Sequence, residues 1–357
     1  MEGILITVTA EEQFQAWKAK ELPAAEEVRP GVWSIPVPFI NNPMRYTLAY
    51  LLIGDGEAAL VDPGWDSDVG WEMLKAGLAT AGLTPASITA IVVTHFHPDH
   101  LGMAARLREA SGAWVALGAD EPLPTHWRVD PTQFVEEDRA QFVAWGVPAQ
   151  CLEEVSFQAD TWAQMTGVAE PQRRLADGEL LPVAGLSVRV LATPGHTPGH
   201  ICLIDERNSL ILTGDHVLPR ITPHVSLEAA SHANPLGDYL DSLEIMEAGA
   251  EMEVLPAHEY RFRGLLARAA ELKEHTLERS REVIAVLESG AAASVWDVSK
   301  ELTWSRGFES LRGFTLRLAL AETASHLVYL TEQGRNVGIS VSRGTPATPN
   351  LLPTLSH

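Results

Sequence analysis

Between about residues 33 and 62 the chain alternates short apolar runs, VWSIPVPF, YTLAYLLIG and AALVDPG, with Gly, Asn and Pro. Runs of that length bounded by turn residues predict strands. Residues 67–81 then place Trp71, Leu74 and Leu78 at helical spacing, so a helix follows. ITAIVVTH, rich in Ile and Val, has the composition of a buried strand; HLGMAARLREA returns to a helical period and AWVALG to a strand.

Residues 120–175 change character. Prolines and aromatics surround one helical stretch, TQFVEEDRAQFVAWG, which Thr132 can cap and Gly146 can end. Phe134, Phe142 and Trp145 fall along one stripe of it. Such a stripe either packs onto the core, as in any amphipathic helix, or walls a substrate pocket as part of an inserted lid. Strands resume with LSVRVLATPG and a hairpin of HICLID and LILTGD across ERNS, and a helix over 235–249 leads to MEVLPAH. From residue 264 onward the period is helical almost throughout, in RGLLARAAELKEHTLERSREVIAVLESG, SVWDVSKELTW and LRGFTLRLALAETASHLVYLTEQGR. NVGISVS is a candidate wing strand and TPATPNLLPTLSH a Pro-rich tail. The pattern predicts an α/β unit over 1–263 with an insertion at 120–175, a mostly helical unit over 264–340, and a tail over 341–357.

With 357 residues, 46% of them hydrophobic and 20% charged, the chain is long enough for one large domain and an appendage, and lies far from the disordered regime. Lys and Arg total 26 against 47 Asp and Glu, a formal charge of −21, and a field of that sign disfavours nucleic acid as a partner. The excess is uneven: residues 1–263 hold 16 basic and 37 acidic side chains, residues 264–357 ten of each. The helical unit therefore lacks the basic face expected of a nucleic-acid reader. Cys151 and Cys202 are too few for a disulfide framework and fit a reducing compartment. The start, MEGILITVTAEEQF, carries neither the basic flank nor the cleavage site of a signal peptide, and no run approaches 18 apolar residues. The expectation is a soluble, cytoplasmic protein with a small-molecule substrate and no membrane partner.

The stretch Thr94–His100, THFHPDH, changes the picture most, because it sets three histidines and an aspartate directly after a buried strand. A lone histidine is usually a satisfied core residue, but four imidazole and carboxylate groups together are costly to bury unpaired. Alternate residues of an extended chain share a side, so His95 and His97 can meet at one ion, while Asp99 and His100 face a second as the chain turns into a helix. The same arrangement recurs at later strand ends, which supply His196, Asp215 and His258. His95, His97 and His196 make one set, Asp99, His100 and His258 another, and Asp215 is the natural bridge, since one carboxylate can hold two cations.

The HxHxDH run, the TPGHTPGH at 193–200, the GD at 214–215, the final AH and the early VDPG at 61–64 together resemble the metallo-β-lactamase superfamily, in that family's order. The resemblance implies an αβ/βα sandwich with a dinuclear centre, usually zinc, at one edge, the ligand roles given above, and an orienting role for Asp62. Iron or manganese also suits such a mixed nitrogen and oxygen set. Asp215 stands where β-lactamases of the superfamily commonly carry cysteine, and His97 where the flavodiiron branch carries glutamate, so neither antibiotic hydrolysis nor oxygen reduction is expected. Glyoxalase II-like thioesterases, lactonases and ribonuclease Z-like phosphodiesterases remain. The helical tail looks like the winged-helix domain of a subgroup that holds both ribonucleases and acyl-thioesterases, so it does not choose the substrate.

Two ions about 3.5–4 Å apart can hold a hydroxide that attacks the substrate, with Asp99 orienting it. The charge distribution and the aromatic insertion favour an ester, thioester or lactone over a phosphodiester; a nucleic-acid-binding regulator is the reading from a different class, and the apolar tail helices also allow a homodimer. His200 reads as structural, His216 and His224 as either structural or pocket residues, and Tyr239 as either a donor to substrate or a packed ring. His232 falls on the same segment, and His126, His275 and His326 are expected to lie apart from the site.

Overall fold

The computed structural model describes residues 6–39, 42–122, 131–156, 169–227 and 233–341. After a short strand β1 (Thr7–Val8) and helix α1 (Glu11–Ala19), a seven-stranded sheet runs in spatial and chain order through β2 (Glu26–Arg29), β3 (Val32–Pro38), β4 (Tyr46–Ile53), β5 (Ala58–Val61), β6 (Ala90–Val92), β7 (Trp114–Gly118) and β8 (Arg173–Leu175). The later strands β9 (Val188–Ala192), β10 (Ile201–Asp205), β11 (Leu210–Gly214), β12 (Glu253–Pro256) and β13 (Phe262–Arg263) form a second sheet in the order β1-β13-β12-β11-β10-β9.

Strand β4 shows why its sequence reads as an unbroken apolar run. Tyr46, Leu48, Tyr50 and Leu52 point into the core between the sheets and meet Val190, Leu203, Leu212 and Leu255 of the second sheet. Ala49 and Leu51 point the other way, onto Leu74 and Leu78 of α2 (Asp68–Thr80) and Leu107 of α4 (Ala104–Ser111), which follows the short α3 (Pro98–Leu101). A strand buried on both faces loses the polar alternation of a surface strand. Outside the second sheet, Leu236 and Leu243 of α7 (Pro235–Glu244) and Leu265 and Leu272 of α8 (Leu265–Ser289) cover Ile211, Val254 and Phe262. The order of layers is helix, sheet, sheet, helix, the expected αβ/βα sandwich, with a helical C-terminal region appended.

That region is built with the insertion. The far half of α8, α9 (Val295–Glu301) and α10 (Gly313–Glu332) close over a separate core containing Val283, Val295, Val298 and Leu320, and α5 (Pro131–Ala144) and α6 (Ala149–Val155) contribute Phe142, Trp145 and Leu152 to it. Phe142 and Trp145 are 2% and 1% exposed, so they pack and do not wall a pocket. An ion pair between Arg317 and Asp138, 2.7 Å long and buried at both ends, joins α10 to α5. Thr132, read as the cap of that helix, lies inside it, after Pro131 in the first turn. Residues 336–341 form no strand, so the candidate wing is not built within the described residues, and the tail beyond 341 lies outside them together with His126, His232 and the Phe134 side chain. No described helix is long and apolar enough to cross a membrane.

Elements that the apolar pattern did not predict are those with few apolar side chains. Strand β2 buries only Val28, β8 only Leu175, and α1 buries Gln13, whose amide donates to Ser34 Oγ at 3.0 Å.

Replacing Trp145 with Ala leaves a large cavity where insertion and C-terminal helices meet. The expected loss is about 3–5 kcal/mol of unfolding free energy, read from denaturant titration; a loss below about 1 kcal/mol would show that this shared core contributes little.

Candidate metal centre

The topology brings the chemistry to one edge. Strands β5, β6 and β7 are parallel neighbours; β9 and β11 each pair antiparallel with β10 and so run alike, and β12 is parallel to β11. Asp62, His95, His196, Asp215 and His258 all follow the C-terminal ends of these strands. Main-chain bonds lock the two edges together, Leu48 N donating to Ala257 O at 2.7 Å and Ile201 N to Thr94 O at 3.0 Å.

His95, His97 and His196 converge. His95 Nε2 lies 2.9 Å from His97 Nδ1, His196 Nε2 lies 3.0 Å from His97 Nδ1 and 3.2 Å from His95 Nε2. Nitrogens bound tetrahedrally to zinc at about 2.0–2.1 Å stand about 3.3 Å apart, so the spacing is that of ligands around one ion. Burial, reinforced by the neighbouring imidazoles, holds His95 well below its ordinary pKa and His196 down at about 4, and burial lowers His97 as well. Their ring lone pairs are therefore free to bind a metal at neutral pH.

The second set is Asp99, His100, His258 and Asp215. His100 Nε2 lies 3.8 Å from Asp99 Oδ2 and 3.5 Å from Asp215 Oδ2, and His258 Nε2 lies 3.5 Å from Asp99 Oδ2 and 3.3 Å from Asp215 Oδ1. Asp215 Oδ2 is also 3.7 Å from His196 Nε2, which places this carboxylate between the two sets. The Nε2 atoms of His100 and His258 and Oδ1 of Asp215 are buried without a hydrogen-bond partner. Burial opposes protonation of these imidazoles, yet Asp215 with Asp62 and Asp99 raises His100 well above its ordinary value, and Asp215 and Asp99 lift His258 to about 10. Against its own burial, Asp99 is held down at about 2 by His100 and His258. The carboxylates thus draw positive charge to this spot, and divalent cations fit the donors present.

Several candidate ligands are aimed from behind. Asp62 accepts from Thr94 N and Thr94 Oγ1, both at 2.8 Å, and its Oδ2 is 3.0 Å from His100 Nδ1. Both oxygens are used, and the Asp62 backbone is left-handed, φ +51°, a region that Asp visits more readily than most residues. His196 Nδ1 donates to His224 O at 2.6 Å and His258 Nδ1 to Tyr46 O at 2.8 Å, so Nε2 faces the centre in both. His200, read as structural, accepts from Asp215 N through Nε2 at 3.3 Å and meets Thr193 Oγ1 at 2.8 Å.

Two expected substrate contacts fare differently. Tyr239 is fully buried, packs its ring on His216 and donates its hydroxyl to His216 O at 3.4 Å, so it does not reach a substrate. His224 accepts from His196 Nδ1 through its main-chain carbonyl, and its ring, near enough to His196 and His97 to feel their charge, keeps Nε2 buried without a hydrogen-bond partner. His275 and His326 lie on α8 and α10, away from the centre, and His326 Nδ1 meets Ser280 Oγ at 2.9 Å.

Glu121 was missed. Three residues past β7, its buried carboxylate accepts from Phe96 N at 2.6 Å, Thr197 Oγ1 at 2.8 Å and Gly199 N at 2.7 Å. It ties the loop that carries His95 and His97 to the loop that carries His196. A Cβ on Gly199 would stand 1.9 Å from Glu121 N, so only glycine permits this approach. Burial pushes the Glu121 carboxyl up to about 7, although its three donors work against that. Nothing in the local sequence signals the role, because the partners lie 25 to 78 residues away.

A profile of the Metallo-beta-lactamase superfamily matches residues 43–258. The chain is 34% identical over 279 residues to an atrochrysone carboxyl ACP thioesterase of Aspergillus chevalieri, covering 77% of this chain and 71% of that one. It is 25% identical over 266 residues to a beta-lactamase-like protein 2 homolog of Caenorhabditis elegans, covering 73% and 74%. Among solved structures, a metallo-beta-lactamase family protein of Thermus thermophilus superposes with a TM-score of 0.73 at 33% identity, over 86% of this chain and 95% of that one. A beta-lactamase domain protein of Burkholderia ambifaria gives 0.72 at 26% identity over 92% of each.

Glu121→Ala removes the tie between two ligand loops without touching a ligand. Metal affinity is expected to fall about 10–100-fold, measured by competition with a chromogenic chelator; unchanged affinity in a folded variant would remove Glu121 from the supporting shell.

Proposed function

The chain belongs to the metallo-beta-lactamase superfamily and is a hydrolase, and from that premise we propose that it cleaves a thioester or related ester at a centre of two metal ions. The observation that carries this reading is the sharing of Asp215 between the two donor sets, one of nitrogens and one of mixed nitrogens and oxygens. Zinc is the proposed metal. When bound, two such cations acidify a water to near neutrality and stabilise the oxygen or sulfur that gains charge.

The protein's own part is positional. His97, Asp99 and Asp215 keep some exposure where His95, His100 and His258 have none, so a substrate meets the centre from the side of His97 and Asp99. Asp99, held ionised, accepts a hydrogen bond from the attacking water and orients it toward the substrate carbonyl. No side chain is needed as nucleophile. Cys202 is buried, and burial pushes its thiol up to about 12; Cys151 lies beside the C-terminal core.

The choice of a thioester is supported by the relative named as a carrier-protein thioesterase, which aligns over 71% of its own length. The formal charge of −21 weighs against a polyanionic RNA substrate.

Elemental analysis of the purified protein is expected to give about two equivalents of transition metal, and Asp215→Ala to lose metal and activity together. In a panel of acyl-thioesters, lactones, phosphodiesters and RNA, thioesters are expected to show the highest kcat/KM. Full activity after exhaustive chelation would overturn the metal reading, and a preference for RNA would overturn the substrate reading.

A further inference from the structure

The two donor sets rest on different supports, and contacts to the second converge on two consecutive residues at the start of β4, Tyr46 and Thr47. Both are fully buried. Strand alternation sends their side chains to opposite faces of the first sheet. Tyr46 therefore addresses the second sheet, and Thr47 addresses the outer side, where α3 begins.

Tyr46 grips the segment after β12 with two polar groups. Its carbonyl accepts from His258 Nδ1 at 2.8 Å, and its hydroxyl donates to Glu259 O at 2.7 Å. The residue it holds is strained, since Glu259 is left-handed, φ +72°, a region that side chains other than Asn, Asp and His adopt only rarely. Such a conformation directly after a metal-facing histidine persists only where its surroundings fix it. The Tyr46 hydroxyl supplies part of that fixing from the opposite sheet.

Thr47 holds the other side. Its Oγ1 donates to Asp99 O at 2.8 Å. In a longer helix that carbonyl accepts from the residue four positions on, but Met103 N donates to Gly64 O at 2.9 Å instead. The threonine hydroxyl takes the place of that helical donor and fixes the turn from which the Asp99 carboxylate projects. The first set has supports of its own: Glu121 ties the loop of His95 and His97 to the loop of His196, and the His224 carbonyl aims His196.

We propose that Tyr46 and Thr47 are positioning residues for the second metal ion alone, so that losing either hydroxyl leaves a protein that keeps the ion of the three histidines and releases the other. The proposal rests on the two-ion reading above. It makes the two halves of the centre separable, although Asp215 lies between them.

Zinc titration of the full chain against a chromogenic chelator reads the two binding steps. In Tyr46→Phe and in Thr47→Val one step is expected to weaken about 10–100-fold and the other to keep its wild-type value. Thr47→Ser, which retains a hydroxyl, is expected to bind as the wild type does. After dialysis against chelator at a concentration that leaves the wild type with both ions, Tyr46→Phe and Thr47→Val are expected to hold about one equivalent, with the X-ray absorption of an ion ringed by three imidazoles. Tyr50→Phe is the control: its hydroxyl donates to Pro256 O at 2.8 Å, from the same strand to the same segment two residues before His258, and both steps are expected to hold there. Two steps that weaken together, no change in either variant, a retained ion without the three imidazoles, a loss that Thr47→Ser does not repair, or an equal loss in Tyr50→Phe would overturn the proposal. The Thr47 pair decides if Tyr46→Phe does not fold. A wild type that takes up one ion or none fails the two-ion reading before any variant is made, and the proposal falls with it.

Discussion

Three imidazole nitrogens within 3.2 Å of one another, backed by the Asp99 and Asp215 carboxylates and two more imidazoles, form an arrangement that repels itself until a cation joins it. Desolvation keeps the first three rings neutral, and the carboxylates beside the other two demand positive charge. The rest of the structure holds these groups where they would not stay by themselves. Two sheets packed face to face present parallel strand ends along a common edge, and main-chain bonds across that edge fix the spacing.

The second layer of contacts does the aiming. Carbonyls of His224 and Tyr46 select which imidazole nitrogen faces the centre, Asp62 turns His100, and Glu121 joins two ligand loops that approach from different sheets. Several of these contacts depend on backbone conformations or close approaches that few residues tolerate, such as the left-handed Asp62 and the glycine at 199. Strain at the site is thus carried by a scaffold that is rigid because it is buried on both sides of each sheet.

The C-terminal helices and the insertion act on the centre at one remove. Helix α8 begins as an outer layer of the sandwich and ends inside the shared helical core, while its Arg268 donates to Leu218 O at 2.8 Å and Ile221 O at 2.9 Å. Those carbonyls belong to the segment between Asp215 and His224, so the helical region braces the loop that orients His196. The aromatic stripe at Phe142 and Trp145 serves this joint and not a pocket wall.

The sequence alone marked the candidate ligands, through short spacings, and the sandwich, through the family resemblance that those motifs carry. HxHxDH after an Ile- and Val-rich run picks out residues that can face a metal, and strands buried on two faces announce themselves as apolar runs. Only the tertiary structure decided what surrounds them. Glu121, Tyr239 and the Phe142–Trp145 stripe each have a role set by partners far away in the chain, such as Thr197, 76 residues from Glu121. A carboxylate or an aromatic ring carries no local mark of whether it will be buried or against what, since that depends on which distant backbone donors and apolar faces the completed fold brings to it.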